Sequence, residues 1–192
     1  MMEALSDTAL MIKVRDGDLD KLGLLFERYK RPLYGFFYGM NREQELSEDL
    51  VQNTFLRILK YKHLFRGEPA DRTGGGDFRA WMFHIARNVN IDHHRKKRIR
   101  ANDDVDDWHE KLGHHENRSA EMQQDEEKQM LSMAMDRLPE EKREILLLSK
   151  YQEKKYQEIG ELLGCTESTV KVKVFRALQE LKVIYKQLEK SM

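Results

Sequence analysis

Two glycines four positions apart, Gly160 and Gly164, constrain this chain more than any other feature, because they fall between two runs of helical apolar spacing. Upstream, Pro139 suits the first turn of a helix, where its missing N–H costs nothing, and Ile145, Leu146 and Leu148 give that helix a side to bury. The spacing predicts a second, short helix over Tyr156–Leu163. Gly160 stands where two helices would cross closely, and Gly164 can take the left-handed geometry of a sharp turn. Thr166 is then placed to cap a third helix whose Val170, Val174, Ala177, Leu178 and Leu181 form one apolar stripe. Residues 138–181 therefore read as a helix-turn-helix unit.

At about 100° per residue, the face opposite that stripe carries Ser168, Thr169, Val172, Phe175, Arg176 and Gln179, with Lys171 and Lys173 on its flanks. A solvated helix gains nothing by exposing Val172 and Phe175. A DNA major groove, in contrast, offers thymine methyl groups to apolar side chains and guanine edges to Arg176. Lysines on the flanks suit phosphates, which position a protein without specifying sequence. The alternative is a plain helical hairpin whose Val172 and Phe175 pack on another domain.

The rest of the chain has to be read from local pattern, since 34 Lys and Arg balance 34 Asp and Glu and no overall basic signature exists. Few stretches alternate in polarity and only 3 prolines occur in 192 residues, so the expected fold class is all-α. Leu22, Phe26, Tyr29, Leu33, Phe36, Phe37 and Met40 follow helical spacing, with Pro32 expected to kink or split that helix. Ser47 can cap a second helix with Glu48 and Asp49 in its first turn and Leu50, Val51, Phe55, Ile58 and Leu59 on its buried side. Periodicity fails over residues 62–77, where Gly67, Pro69 and Gly74 to Gly76 mark a long loop expected to be mobile. A third helix resumes at Phe78, burying Trp81, Ile85, Val89 and Ile91, and runs out into Arg95, Lys96, Lys97, Arg98 and Arg100. The first domain is expected over residues 1–100, with its helices from residue 19 onward.

Residues 101–127 are strongly acidic, with Asp103, Asp104, Asp106 and Asp107 at the start, and are expected to form a linker with helix returning near Ser119. Residues 128–192 then make the second domain. The architecture expected is two small helical domains tethered by an acidic linker, the C-terminal one a helix-turn-helix. The lone Cys165 fits a reducing compartment. Charges interrupt the N-terminus as they would not in a signal peptide, and nothing approaches a transmembrane run, so a cytoplasmic protein without membrane insertion is expected.

Within the first domain, the run "DLVQNTFLRI" puts Asp49, Gln52 and Asn53 on one polar side, which a solvated face would also explain. The run "FRAWMFHIARN", followed by Ile91, Asp92 and a basic sequel, combines rings and cations, the pairing that single-stranded DNA needs. These two runs, in this order before "LPEEKREILLLSKYQEKKYQEIGELLGCTESTVKVKVFRAL", resemble bacterial RNA polymerase sigma factors of the extracytoplasmic-function class over most of the chain.

The resemblance implies a non-enzymatic initiation factor. Its first domain would bind the clamp helices of the largest subunit of core RNA polymerase and melt the minus-ten promoter element, while its second domain would meet the flap and read the minus-thirty-five element. Carried over by matching positions, Asp49, Gln52 and Asn53 become core-polymerase-binding residues. The family often has an acidic residue where Asn53 stands, so that contact departs from the pattern. Arg79, Arg87, Asn88, Arg95, Lys96, Lys97 and Arg98 would meet minus-ten DNA, and residues 62–77, together with Arg87 and Asn88, match the region that captures a flipped-out base. Glu68 to Gly76 is longer and richer in glycine than the usual loop, so no base preference carries over. Ser168, Thr169, Lys171, Val172, Lys173, Phe175 and Arg176 would meet minus-thirty-five DNA. The partners implied are core RNA polymerase, promoter DNA both duplex and melted, and an anti-sigma factor of the kind the family often pairs with. An acidic linker would suit a path through a basic polymerase channel.

Rival readings differ in class. Asp92-His93-His94 matches the Asp-His-His pattern of metal-dependent phosphoesterases, but that chemistry needs further acidic ligands on strand ends, which an all-helical chain does not provide. His109, His114 and His115 fall in the linker and are expected to be solvated, so neither a metal nor a cofactor is expected. An autonomous regulator would share the helix-turn-helix but would not need core polymerase, and an adaptor would have no effect on DNA.

Overall fold

The computed structural model describes residues 5–67, 77–103, 122–151 and 156–190, and the regular structure among them is helical throughout. The chain divides into two compact units, Met1–Lys111 and Leu112–Met192.

The first unit begins with a helix outside those that the apolar spacing predicts. Helix α1 (Asp7–Arg15) is capped by Ser6, whose Oγ accepts a hydrogen bond from the Ala9 amide at 3.2 Å, and it buries Leu10, Met11 and Val14. Helix α2 (Asp20–Asn41) runs through Pro32 as one element rather than splitting. Proline removes one helical hydrogen bond. Burial of Leu25, Tyr29, Leu33, Phe36 and Phe37 around it, each contributing about 1.5–3 kcal/mol, outweighs that loss. Leu25 is fully buried where Leu22 and Phe26 are only half-buried, so the stripe is rotated by about one residue from the one expected.

Helix α3 (Gln44–Tyr61) starts earlier than Ser47. Ser47 is buried inside the helix and its Oγ donates back to the Glu43 carbonyl at 2.5 Å, so it is not the cap, and Glu45 rather than Glu48 or Asp49 lies in the first turn. Thr54 is buried where Leu59 was expected; its hydroxyl is satisfied by the Leu50 carbonyl at 2.7 Å. A short 3-10 turn (Lys62–Leu64) follows, and Phe65, inside the expected loop, is fully buried. Residues 68–76, which hold the Gly74 to Gly76 run, lie outside the described residues.

Helix α4 (Phe78–Asp103) is capped by Asp77, whose Oδ1 accepts from the Arg79 amide at 2.9 Å. Its buried side is Phe78, Met82, Phe83, Ile85, Ala86 and Val89, with Trp81 half-buried and Ile91 exposed at 43%. Within this shifted stripe Phe83 meets Phe36 of α2 edge-on at 5.8 Å between ring centroids.

Both ends of the stretch expected as linker are helical: residues 101–103 close α4, and α5 (Met122–Asp136) opens the second unit. Ser119, the acidic residues from Asp104 to Glu121 and the three linker histidines fall outside the described residues. After α5 come α6 (Glu140–Tyr151), α7 (Tyr156–Leu163) and α8 (Glu167–Glu189). Leu138, Ile145, Leu146, Leu147, Leu148, Ile159, Val170, Val174 and Ala177 form the core. Leu178, expected in the stripe, is 50% exposed, while Leu188 near the far end is buried.

Candidate nucleic-acid interface

The turn between α7 and α8 is built on the two glycines. A Cβ at Gly160 would lie 2.5 Å from the Cys165 carbonyl oxygen, a backbone atom that cannot move aside, and the Gly160 carbonyl accepts from the Cys165 amide at 2.8 Å. Gly164 has φ +67°, which an L side chain resists. This tight return delivers Thr166 to the start of α8, where its Oγ1 accepts from the Thr169 amide at 3.2 Å. The same oxygen lies 2.9 Å from Ser168 Oγ and 2.8 Å from Thr169 Oγ1, so both hydroxyls gather at the N-terminal end of the helix.

On the outward side of α8, Val172 is 47% and Phe175 62% exposed, and Arg176 and Lys173 are exposed beside them. Lys171 is exposed too and pairs with Glu167 at 2.7 Å, one turn back. Phe175 and Arg176 also line a shallow depression of about 420 Å³ with Lys142, Gln179, Glu180 and Val183, above an ion pair between Lys142 and Glu180 that ties α6 to α8. Nothing in the spacing of the sequence brings residues 142 and 180 together.

In the first unit, Asp49, Gln52 and Asn53 are exposed together on the side of α3 away from Leu50, Val51 and Thr54. Leu56, 66% exposed, lies one turn further on the same side and was not singled out by sequence. A groove of about 340 Å³ between α2 and α3, lined by Phe26, Lys30, Arg31, Tyr34, Glu48, Val51 and Gln52, borders this face at Gln52.

The α4 residues are not equivalent. Arg79 and Arg87 are half-buried, whereas Asn88, Arg95, Lys96, Lys97 and Arg98 are exposed. Asn88 and Arg95 lie about two turns apart on one side. Asp92 accepts from Arg57 of α3 at 2.8 Å and from Arg95 at 3.2 Å, which locks the base of the cationic end. Behind it, buried Asn90 accepts from Asn41 Nδ2 at 2.9 Å, and Asn41 Oδ1 lies 2.8 Å from His94 Nε2, a polar network joining α2 to α4. Asp92 and His94 are thus engaged in holding helices together. Among the described residues no group of three or more His, Cys, Asp or Glu side chains is placed to hold a metal.

The sequence of the chain matches the family descriptions "Sigma-70 region 2" over residues 25–99 and "Sigma-70, region 4" over residues 128–181. These fall in the first and second units respectively, and together define a sigma factor. The chain is 30% identical over 165 residues to the ECF RNA polymerase sigma factor SigM of Bacillus subtilis, covering 84% of this chain and 93% of that relative. It is 27% identical over 185 residues to the ECF RNA polymerase sigma-E factor of Haemophilus influenzae, covering 92% and 94%. In fold it is similar to the sigma factor RpoE of Bartonella quintana, solved in complex with the anti-sigma factor NepR, with a TM-score of 0.69, 22% identity and coverage of 85% and 96%. A second likeness is to CnrH, solved with the cytosolic domain of CnrY, with a TM-score of 0.66, 18% identity and coverage of 94% and 97%. The chain belongs to the ECF RNA polymerase sigma factor family. It is a specificity factor and not an enzyme: it binds core RNA polymerase and promoter DNA and directs transcription initiation. No helix among the described residues is long and apolar enough to cross a membrane.

Proposed function

We propose that the two units divide promoter recognition between them. The second reads the minus-thirty-five element by laying α8 in the major groove: Arg176 hydrogen-bonds a guanine edge, Val172 and Phe175 meet thymine methyl groups, and Ser168, Thr169, Lys171 and Lys173 hold phosphates. The observation that carries this is the exposure of Val172 and Phe175 beside Arg176 on a helix whose other side is well packed. The gathered hydroxyls at the α8 N-terminus support it, since a helix N-terminus attracts phosphate. The same unit also meets the flap of the polymerase.

The first unit holds core polymerase through Asp49, Gln52 and Asn53 against the clamp helices of the largest subunit. Its α4 opens the minus-ten element, with Arg79, Arg87, Asn88, Arg95, Lys96, Lys97 and Arg98 receiving the separated strand. Their mixed burial supports the assignment: half-buried Arg79 and Arg87 keep part of each side chain packed and part open to a base, and the exposed cations beyond Asp92 suit phosphates. The protein acts in the cytoplasm, where it meets the polymerase, and an anti-sigma factor that covers the polymerase-binding faces restrains it. In transcription with purified core polymerase, the full chain is expected to start transcripts at defined promoters, and the chain alone to bind duplex promoter DNA weakly. Tight promoter binding without core would instead make it an autonomous regulator.

A further inference from the structure

Helix α1 lies outside residues 25–99, the part of the first unit that matches the sigma region 2 family, and nothing in that match gives it a task. Its contacts do. The Arg15 guanidinium is held by Asp16, Nε to Oδ1 at 2.8 Å, and this aims Nη1 at the carbonyl oxygens of Phe65 and Arg66, at 3.3 and 3.5 Å. Gly67 packs so closely on Ile12 that a Cβ there would lie 2.8 Å from its side chain. In return, Lys62 Nζ donates to the Val14 carbonyl at the end of α1, at 3.1 Å. These contacts fix where the chain leaves α3. At the other end of the same helix, Thr8 Oγ1 accepts from the Phe78 amide at 3.4 Å, at the first residue of α4.

The two pinned positions are also fastened to each other. Phe65 and Phe78 meet at 6.2 Å between ring centroids, and Trp81 closes the group at 5.2 Å from Phe65. Tyr29 of α2 packs on Phe78 at 5.6 Å, while its hydroxyl donates to the Asp7 carboxylate of α1. Burial first, and this hydrogen bond second, push the Tyr29 phenol far above its ordinary value, so it stays a donor. One nine-residue helix thus reaches both described ends of the α3–α4 connection, residues 65–67 and 77–78, and does so with polar bonds that only fixed geometry satisfies.

We propose that α1 is a staple for promoter opening: Arg15 and Thr8 are positioning residues that set where α4 begins and hence how Arg79, Arg87 and Asn88 are offered to the separated strand. This rests on the reading above that α4 receives that strand. Neither residue touches DNA in this scheme; their effect passes through Phe65, Arg66 and Phe78.

The test uses the full chain assembled with core polymerase on duplex promoter and on the same promoter with an unpaired minus-ten segment. Opening is read by permanganate reactivity of unpaired thymines, alongside core affinity and thermal unfolding. The double variant Arg15→Ala, Thr8→Val is expected to lower duplex opening about tenfold, the effect of losing bonds to a charged group. Core affinity should hold, and the pre-opened template, which needs no melting, should lose less than the duplex does. Thr8→Ser in place of Thr8→Val should restore part of the loss, and Ser6→Ala, which weakens the α1 cap without removing either bond, should lower opening less than the double variant does. Unchanged duplex opening in the double variant, or a parallel loss of core affinity, overturns the staple. Arg87→Ala with Asn88→Ala separates the two levels. If that pair leaves opening intact, the role given to α4 fails and the staple fails with it; if it impairs opening while the α1 double variant does not, only the staple fails.

Discussion

Helix α4 of the first unit and helix α8 of the second both carry the side chains proposed to meet DNA, yet they are built differently. Phe78, Met82, Phe83, Ile85, Ala86 and Val89 of α4 are buried, its start is capped by Asp77, and Asp92 is clasped between Arg57 and Arg95. Helix α8 buries only Val170, Val174, Ala177 and Leu188 and leaves Val172, Phe175, Leu178 and Val183 exposed. A helix that has to hold a strand out of its duplex works against unstacking energy of a few kcal/mol, and one anchored over its first half, as α4 is through Val89, can bear it. A reading helix needs only a firm inner side, with apolar groups standing outward for the groove. The same contrast gives each unit its weak point, which in the second is the turn that sets the α8 angle.

The largest expected effect therefore comes from Gly160→Ala. Its new Cβ would press on the Cys165 carbonyl at 2.5 Å, and overpacking of this kind costs about 3 kcal/mol. Calorimetry should show the second unit unfolding earlier while the first keeps its own transition; equal shifts in both would break the separation of the units. Next, Asp49→Ala combined with Gln52→Ala should weaken core binding by about 2 kcal/mol, the size of an interface hot spot, with thermal stability unchanged because both side chains are exposed. Unaltered core affinity would remove α3 from the polymerase interface. Thr166→Ala should cost about 1 kcal/mol by leaving the Thr169 amide without its partner, read as a lower unfolding midpoint for the second unit alone.

The smallest effect is expected at Lys171. Its pair with Glu167 is exposed, so Lys171→Ala should change stability by no more than about 0.5 kcal/mol. If Lys171 meets a phosphate, the same variant should lower the salt dependence of promoter binding by about one ion on every promoter alike. A change confined to some promoters would move Lys171 from phosphate contact to base reading.

Much of this was legible in the residues because the second unit is specified locally. Gly160, Gly164 and Thr166 each have a geometric reason within a few positions, and Tyr156–Leu163 forms as the spacing requires. The first unit hid more because its logic is tertiary. Leu10, Met11 and Val14 are too few to announce α1 until Tyr29 and Phe78 are seen bonded to its Asp7 and Thr8. Phe65 looks like loop until it meets Phe78 and Trp81, and nothing in the spacing pairs buried Asn90 with Asn41. Ser47 resembles a cap in sequence but turns its hydroxyl back to Glu43 inside the helix. For most of the residues proposed to face polymerase and DNA, exposure could be read from helical phase, with Arg79 and Arg87 half-buried instead; the pairing of Asp92 with Arg57, 35 positions away, could not.

The division of labour between α4 and α8 is tested most directly by transcription with core polymerase across a pool of randomised promoters, comparing the unaltered chain with Arg176→Ala. A loss of about 1–3 kcal/mol of discrimination at one base pair of the upstream element, with the downstream element selected as before, is the expected result. Equal loss on all promoters, or relaxed selection in the downstream element instead, would contradict it.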